Sequence, residues 1–186
     1  MDAGKLESYV QGRWQAGTAE GRVLVNPTTG EELGRVDAGG IDCAAALGHA
    51  RSDGIPALEA LTFAERGALL RAMADVLAAN RDAYVEIARL NSGNTAVDAS
   101  IDIDGGIGTL KIYAGHGKKL GDARTIMEAE TVQLAREDVF RAGHIWTSRP
   151  GVAVHINAFN FPSWGMWEKV ACSLLAGVPA IAKPAS

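Results

Sequence analysis

The chain has 186 residues, 47% of them hydrophobic and 22% charged, with a formal net charge of −4. That length allows one domain with a real core, burying about 70% of the surface its unfolded chain exposes, and the composition excludes disorder over the whole chain. The acidic balance gives no basic face for nucleic acid, two cysteines exclude a disulfide scaffold and fit a reducing, cytoplasmic compartment, and with neither a secretory h-region nor an apolar run of about 18 residues no membrane span is expected.

Residues 7–37 read as a small hairpin. Tyr9, Val10 and Trp14 come first, then Val23-Leu24-Val25, a type I turn at Asn26-Pro27-Thr28-Thr29-Gly30, and a return strand from Glu31 to Val36. Residues 41–52 are helical, and Asp53-Gly54-Ile55-Pro56 is expected to break that helix. Thr62-x-x-Glu65 is a capping box, and Leu69, Leu70, Met73, Val76 and Leu77 follow at helical spacing. A pause is expected near Ala79-Asn80, with the helix resuming until Asn91-Ser92-Gly93-Asn94. Residues 96–120 read as helix in spite of Gly105, Gly106 and Gly108, each of which costs a helix interior about 1 kcal/mol. No strand precedes these glycines as a phosphate loop would require, so close backbone packing is the better reading. Residues 131–149 alternate as an antiparallel hairpin with one polar face.

The last part of the chain carries the most information. Val152-Ala153-Val154-His155-Ile156 is an apolar strand, and Trp164, Trp167, Ala171, Leu174 and Val178 mark one face of a helix. Gly177 and Pro179 stop that helix, and Ala180-Ile181-Ala182 begins a second strand. Strand, helix, strand is a βαβ unit and implies a parallel pair. Ligands of open α/β sheets lie beyond the carboxyl ends of the strands, which singles out Asn157 to Pro162 and Lys183 to Ser186. By spacing alone Asn160 is a helix cap before it is an oxyanion donor, and Lys183 is a solvated strand-end charge before it is a ribose or phosphate ligand. Cys43 and Cys172 lie in helical runs with no activating neighbour and read as buried or inert. The four histidines have no metal-ligand spacing, so no metal is expected. Asp102 and Asp104 would point to different helix faces, a poor arrangement for paired acid–base work.

Pro150-Gly151-Val152-Ala153, Ile156-Asn157-Ala158-Phe159-Asn160-Phe161-Pro162, Lys169, Ala176-Gly177 and Lys183-Pro184, together with Asn26-Pro27-x-Thr29-Gly30-Glu31, resemble the aldehyde dehydrogenase superfamily in order over nearly the whole chain. Val154 to Met166 and Asp102 to Leu110 resemble its aromatic-degradation branches. These are the dehydrogenase part of phenylacetate-pathway ring-opening proteins and the semialdehyde dehydrogenases of the benzoyl-CoA epoxide route. The resemblance implies oxidation of an aldehyde, here a CoA-thioester semialdehyde, to its acid with NADP or NAD. Asn160 matches the family's oxyanion asparagine. Ile156, Asn157, Ala158 and Phe159 match the loop along the cofactor's ribose and pyrophosphate, and Lys183 matches the adenosine-ribose lysine, with Ala185 and Ser186 beside it. NAD-preferring members often carry glutamate where Ser186 stands. A hydroxyl can donate to a 2′-phosphate that a carboxylate would repel, so NADP is favoured.

The implied fold is α/β and aldehyde-dehydrogenase-like. Residues 1–125 would supply the N-terminal hairpin and the helical part of the cofactor domain. Residues 126–150 would form an oligomerisation-type hairpin, and 151–186 the first βαβ unit of a Rossmann-like sheet. The family's nucleophilic cysteine and general-base glutamate match nothing in this chain, which is expected to be the front part of a longer homo-oligomeric enzyme and inactive alone. The competing expectation is a non-catalytic interaction module pairing through 131–149. An independent small nucleotide-binding domain ranks last, because the Gly-rich fingerprint is missing.

Overall fold

The computed structural model describes residues 4–185. Its N-terminal part is more divided than a single hairpin: β1 (Lys5–Leu6), β2 (Ser8–Val10), β3 (Arg13–Gln15), β4 (Arg22–Val25) and β5 (Glu32–Val36). β4 and β5 are the expected antiparallel pair, and β1 adds to β5 in parallel. β2 and β3 form a separate hairpin through Gln11 (φ 53°) and Gly12 (φ 74°), the two positive φ values of a type I′ turn. The β4–β5 turn is one residue wider than a type I turn. Gly30 N–H donates to the Asn26 carbonyl at 2.8 Å, and the buried Asn26 side chain accepts from the N–H groups of Thr28 and Thr29 at 2.9 and 3.4 Å. Strands of two or three residues are too short for a period of two to show in the sequence.

α1 (Cys43–His49) starts on Asp42, whose carboxylate accepts from Ala45 N–H at 2.9 Å. The break expected at Asp53-Gly54-Ile55-Pro56 does not occur. A π-helical turn over Ala50–Gly54 leads directly into α2 (Ile55–Glu59), with Ile55 N–H bonded to the Ala50 carbonyl. That wider step absorbs the irregularity, and Pro56 falls in the first turn of α2, where a missing N–H costs nothing. α3 (Phe63–Ala79) opens on the predicted capping box: Glu65 N–H donates to Thr62 Oγ1 at 3.2 Å, and the Glu65 carboxylate accepts from Thr62 N–H at 2.8 Å. Asn80 separates α3 from α4 (Arg81–Ser92), which ends on left-handed Gly93 (φ 70°). α5 (Ala96–Leu120) then runs uninterrupted for 25 residues.

β6 (Ile126–Met127) pairs with β9 (Ile145–Trp146), and β7 (Val132–Gln133) with β8 (Arg141–Ala142), all antiparallel. These strands run from Ile126 to Trp146, so pairing extends N-terminally beyond the alternating stretch that starts at 131. Met127, Val132, Phe140, Ile145 and Trp146 are all exposed on this arm.

β10 (Ala153–Ile156), α6 (Pro162–Leu175) and β11 (Ala180–Lys183) are the predicted strand–helix–strand unit, with β10 and β11 parallel and Ile156 opposite Lys183. α6 ends in a Schellman motif. Gly177 (φ 81°) donates to the Leu174 carbonyl at 3.0 Å, and Val178 N–H to the Ser173 carbonyl at 2.9 Å. The core lies where α3, α5 and α6 meet, with Leu70 and Ala74, Ile103, Ile107 and Leu110, and Ala171 and Leu175 at its centre. Among the described residues no helix is long and apolar enough to cross a membrane, and no group of three His, Cys, Asp or Glu side chains is placed to hold a metal ion.

Candidate functional site

The site is set by α6, and α6 is held at both ends by a buried charge. Its N-cap, Phe161, offers no capping side chain. The cap comes from α5 instead. Asp102, 1% exposed, accepts from Trp164 N–H at 2.8 Å through Oδ1 and from Ser163 N–H at 3.2 Å through Oδ2. At the other end Arg66 of α3, also 1% exposed, donates from Nε to the Leu58 carbonyl at 2.9 Å and from Nη1 to the Leu175 carbonyl at 3.3 Å. A carboxylate at the N-terminus and a guanidinium at the C-terminus both suit the helix dipole, and both make charge-assisted bonds to otherwise orphaned backbone groups.

The face of α5 toward α6 repeats this matching. Gly105 and Gly106 follow Asp102 at i+3 and i+4, and Thr109 at i+7. A Cβ on Gly105 would overlap the Trp164 ring, and one on Gly106 would come within 2.8 Å of Trp167. Trp164 Nε1 donates to Thr109 Oγ1 at 3.1 Å. The packing reading of the glycines therefore holds for 105 and 106. Gly108 is different, because a Cβ there meets nothing within 4 Å. Asp104 points away from Asp102 into a two-bond pair with Arg81 at 2.6 and 2.7 Å.

The loop from β10 to α6 lies at the carboxyl ends of both parallel strands. Ile156, Ala158, Phe159 and Asn160 are exposed there. Asn160 caps nothing, and its amide makes no hydrogen bond among the described residues, so the capping role suggested by spacing is not the one it has. Asn157 is buried. Its N–H and Nδ2 both donate to the Lys183 carbonyl, at 3.1 and 3.2 Å, and its Oδ1 accepts from Lys169 Nζ at 3.2 Å. One side chain thus ties β10, β11 and α6 together directly beneath the loop. Lys183 is exposed at the end of β11, and Ala185 is half-buried just beyond it. Ser186 lies outside the described residues. Cys43 and Cys172 are both exposed, not buried.

His155, in β10 opposite Ala182, is buried and its Nδ1 has no hydrogen-bond partner among the described residues. Burial, and then the positive charge of Lys169, hold its pKa below the ordinary histidine value. Above about pH 6.5 the imidazole is neutral in both folded and unfolded chains. As the pH falls further the unfolded chain takes the proton first, so stability is lost until the pH passes the lower native value. The urea midpoint is expected to drop as the pH falls from neutral through about 6.5, and His155→Gln should flatten that drop. An unchanged slope would remove His155 as its source.

Sequence reading missed Asp102, Arg66 and Lys169 as site-forming residues. For Asp102 a signal existed: Asp-x-x-Gly-Gly-x-x-Thr is one helical face. Weighing Asp102 against Asp104 looked along the chain rather than across to the next helix.

The profile of the "Aldehyde dehydrogenase family" matches residues 14–186. A 3,4-dehydroadipyl-CoA semialdehyde dehydrogenase of Aromatoleum evansii is 53% identical over 98% of this chain and 35% of its own length. An NADP(+) succinate-semialdehyde dehydrogenase of Escherichia coli is 26% identical over 98% of the chain and 36% of its own. The solved succinate-semialdehyde dehydrogenase of Burkholderia pseudomallei superposes with a TM-score of 0.80 at 27% identity, over 97% of this chain and 36% of that one. The chain therefore spans about a third of the length of these relatives. With the profile match over most of its residues, and a fold shared with solved members, the chain belongs to the aldehyde dehydrogenase family.

Proposed function

We propose that residues 156–160 with Lys183, Ala185 and Ser186 are the oxyanion and cofactor-ribose arm of an NAD(P)-dependent aldehyde dehydrogenase, whose substrate is a CoA-thioester semialdehyde from aromatic degradation. The observation that carries this is Asn160: an exposed carboxamide with no partner among the described residues, at the mouth of a βαβ unit and beside the strand that ends in Lys183. The 53% identity to a CoA-semialdehyde dehydrogenase supports the substrate class.

The residues present fit a nicotinamide cofactor. Ile156, Ala158 and Phe159 are exposed along the loop, with buried Asn157 holding it from below, and the exposed Lys183 offers a cation able to donate to ribose hydroxyls. When bound, the cofactor supplies the hydride acceptor. The α6 N-terminus is not the phosphate site, because Asp102 already accepts from its N–H groups. In this respect the unit departs from dinucleotide folds that seat the pyrophosphate on the first crossover helix. Asn160 donates from Nδ2 to the substrate carbonyl oxygen as negative charge grows there, and a neutral amide keeps that donor across the working pH range. The nucleophile is neither cysteine described above. Cys172 lies about 15 Å along α6 from Pro162, and Cys43 is the first residue of α1, at the start of another helix. The exposed 126–146 arm would pair a homo-oligomer.

Two assays test the reading. The longest natural polypeptide carrying this sequence should reduce NADP+ with a CoA-thioester semialdehyde at a kcat/KM about tenfold or more above that for succinate semialdehyde, and equal or reversed efficiencies overturn the substrate class. Residues 1–186 alone should give no aldehyde-dependent reduction, and turnover above blank would point to one of the two cysteines. NADP preference rests on the Ser186 hydroxyl. A Ser186→Glu change sets a carboxylate against the 2′-phosphate, and like charges so placed cost several kcal/mol. The NADP/NAD efficiency ratio should therefore fall by about tenfold or more, and a ratio that does not move removes Ser186 as the selector.

A further inference from the structure

We infer that Asp102 is a positioning residue for Asn160, acting through the first turn of α6; this rests on the oxyanion reading of Asn160. Asn160 stands in a loop with no side-chain bond of its own among the described residues, two residues before Pro162. The loop's first residue, Asn157, is tied to β11 and to Lys169, so what fixes its far end, which carries Asn160, is the placement of the α6 N-terminus. No local side chain provides it, since Phe161 cannot cap. The placement comes across the helix interface from one face of α5. Asp102 fixes the N–H groups of Ser163 and Trp164, Gly105 and Gly106 admit the rings of Trp164 and Trp167, and Thr109 bonds the Trp164 indole. Four residues at i, i+3, i+4 and i+7 therefore set the rotation, the height and the approach of α6 together.

The carboxylate is the member of this row that an uncharged side chain cannot replace. Both of its oxygens accept, each from a different backbone N–H, at 2.8 and 3.2 Å. Asparagine has one acceptor oxygen, and it would turn an N–H toward one of those donors. The helix N-terminus would then be held at one point instead of two, and free to rotate about it. Arg66 holds the opposite end of the same helix and serves as the comparison, because its loss loosens α6 without releasing the end that carries the loop.

The test is a double-mutant cycle in the longest natural polypeptide that carries this chain, made with D102N, N160A and the pair, and repeated with R66M in place of D102N. D102N is expected to lower kcat by about tenfold or more while the cofactor KM stays within about twofold, and to have little further effect once Asn160 is alanine. R66M should change kcat by the same factor in both backgrounds. Equal effects of D102N in the two backgrounds overturn the inference. If N160A alone leaves kcat unchanged, it is the oxyanion reading that fails. Should D102N not fold, T109V removes the Trp164 anchor, along with the hydroxyl's bond to the Gly105 carbonyl within α5, and is read in the same cycle. An additive result there likewise counts against positioning through α6.

Discussion

Asn160→Ala, in the longest natural polypeptide that carries this sequence, is expected to lower kcat by about 10²–10³-fold, or about 2.7–4 kcal/mol of transition-state stabilisation. The size follows from where the amide sits. It is exposed at the strand end and engaged by nothing else among the described residues, so its removal subtracts an interaction made with substrate and little that the fold needs. For the same reason the melting temperature should move by no more than about 2 °C. Asn160→Asp should fall at least as far in kcat despite its near-identical shape, since a carboxylate has no N–H to give and repels a developing oxyanion. Lys183→Ala should act on the other axis and raise the cofactor KM with a smaller change in kcat. Steady-state kinetics with the cofactor varied at saturating aldehyde separates these outcomes, and a kcat within about threefold of the parent for Asn160→Ala would exclude an oxyanion role.

The features legible in the sequence share a property: each is a local signal about backbone satisfaction. The Thr62–Glu65 capping box, the αL stop at Gly93 and the Gly177 stop all name an orphaned N–H or carbonyl and the residue that answers it within a few positions. The βαβ unit and its ligand edge followed from these signals. What was not legible is what the chain does at long range. Asp102 answers the N-terminus of a helix about sixty residues away in sequence, and Arg66 answers a carbonyl still further off. Pro56 looked like a breaker because proline is judged against an α-helix, whereas the π-turn before it places it in a first turn. Asn160 is the instructive case. Spacing makes it a cap, and only the resemblance lifts it above that. The structure removes the capping role by showing the cap to be another residue, on another helix.

Alanine substitutions along α5 are expected to change sign with the glycine chosen. In an open helix position Gly→Ala stabilises by up to about 1 kcal/mol, because glycine loses more backbone entropy on folding. Gly108 and Gly115 are such positions, with nothing within 4 Å of an added Cβ, so each alanine should raise the melting temperature by about 2–4 °C for a domain of this size. Gly117 lies on the same helix under the opposite constraint. An added Cβ would come within 2.5 Å of the Phe63 carbonyl oxygen and 2.8 Å of the Gly67 Cα. These are backbone atoms of α3 and its start, which cannot swing aside as a side-chain tip can. The propensity gain is then outweighed by an overpacking cost of about 1–3 kcal/mol or more, and the net loss should be about 2 kcal/mol with a fall of several degrees. Gly67 faces the same contact from the other side, within 2.9 Å of the Ala114 carbonyl oxygen. Once one alanine has pushed α3 and α5 apart, the second meets less resistance, so the G67A/G117A pair should be less destabilised than the sum of its singles. Thermal unfolding of the five proteins decides this. Stabilisation by alanine at Gly117 would mean that α3 and α5 do not meet at their glycines, and the core between them would have to be redrawn.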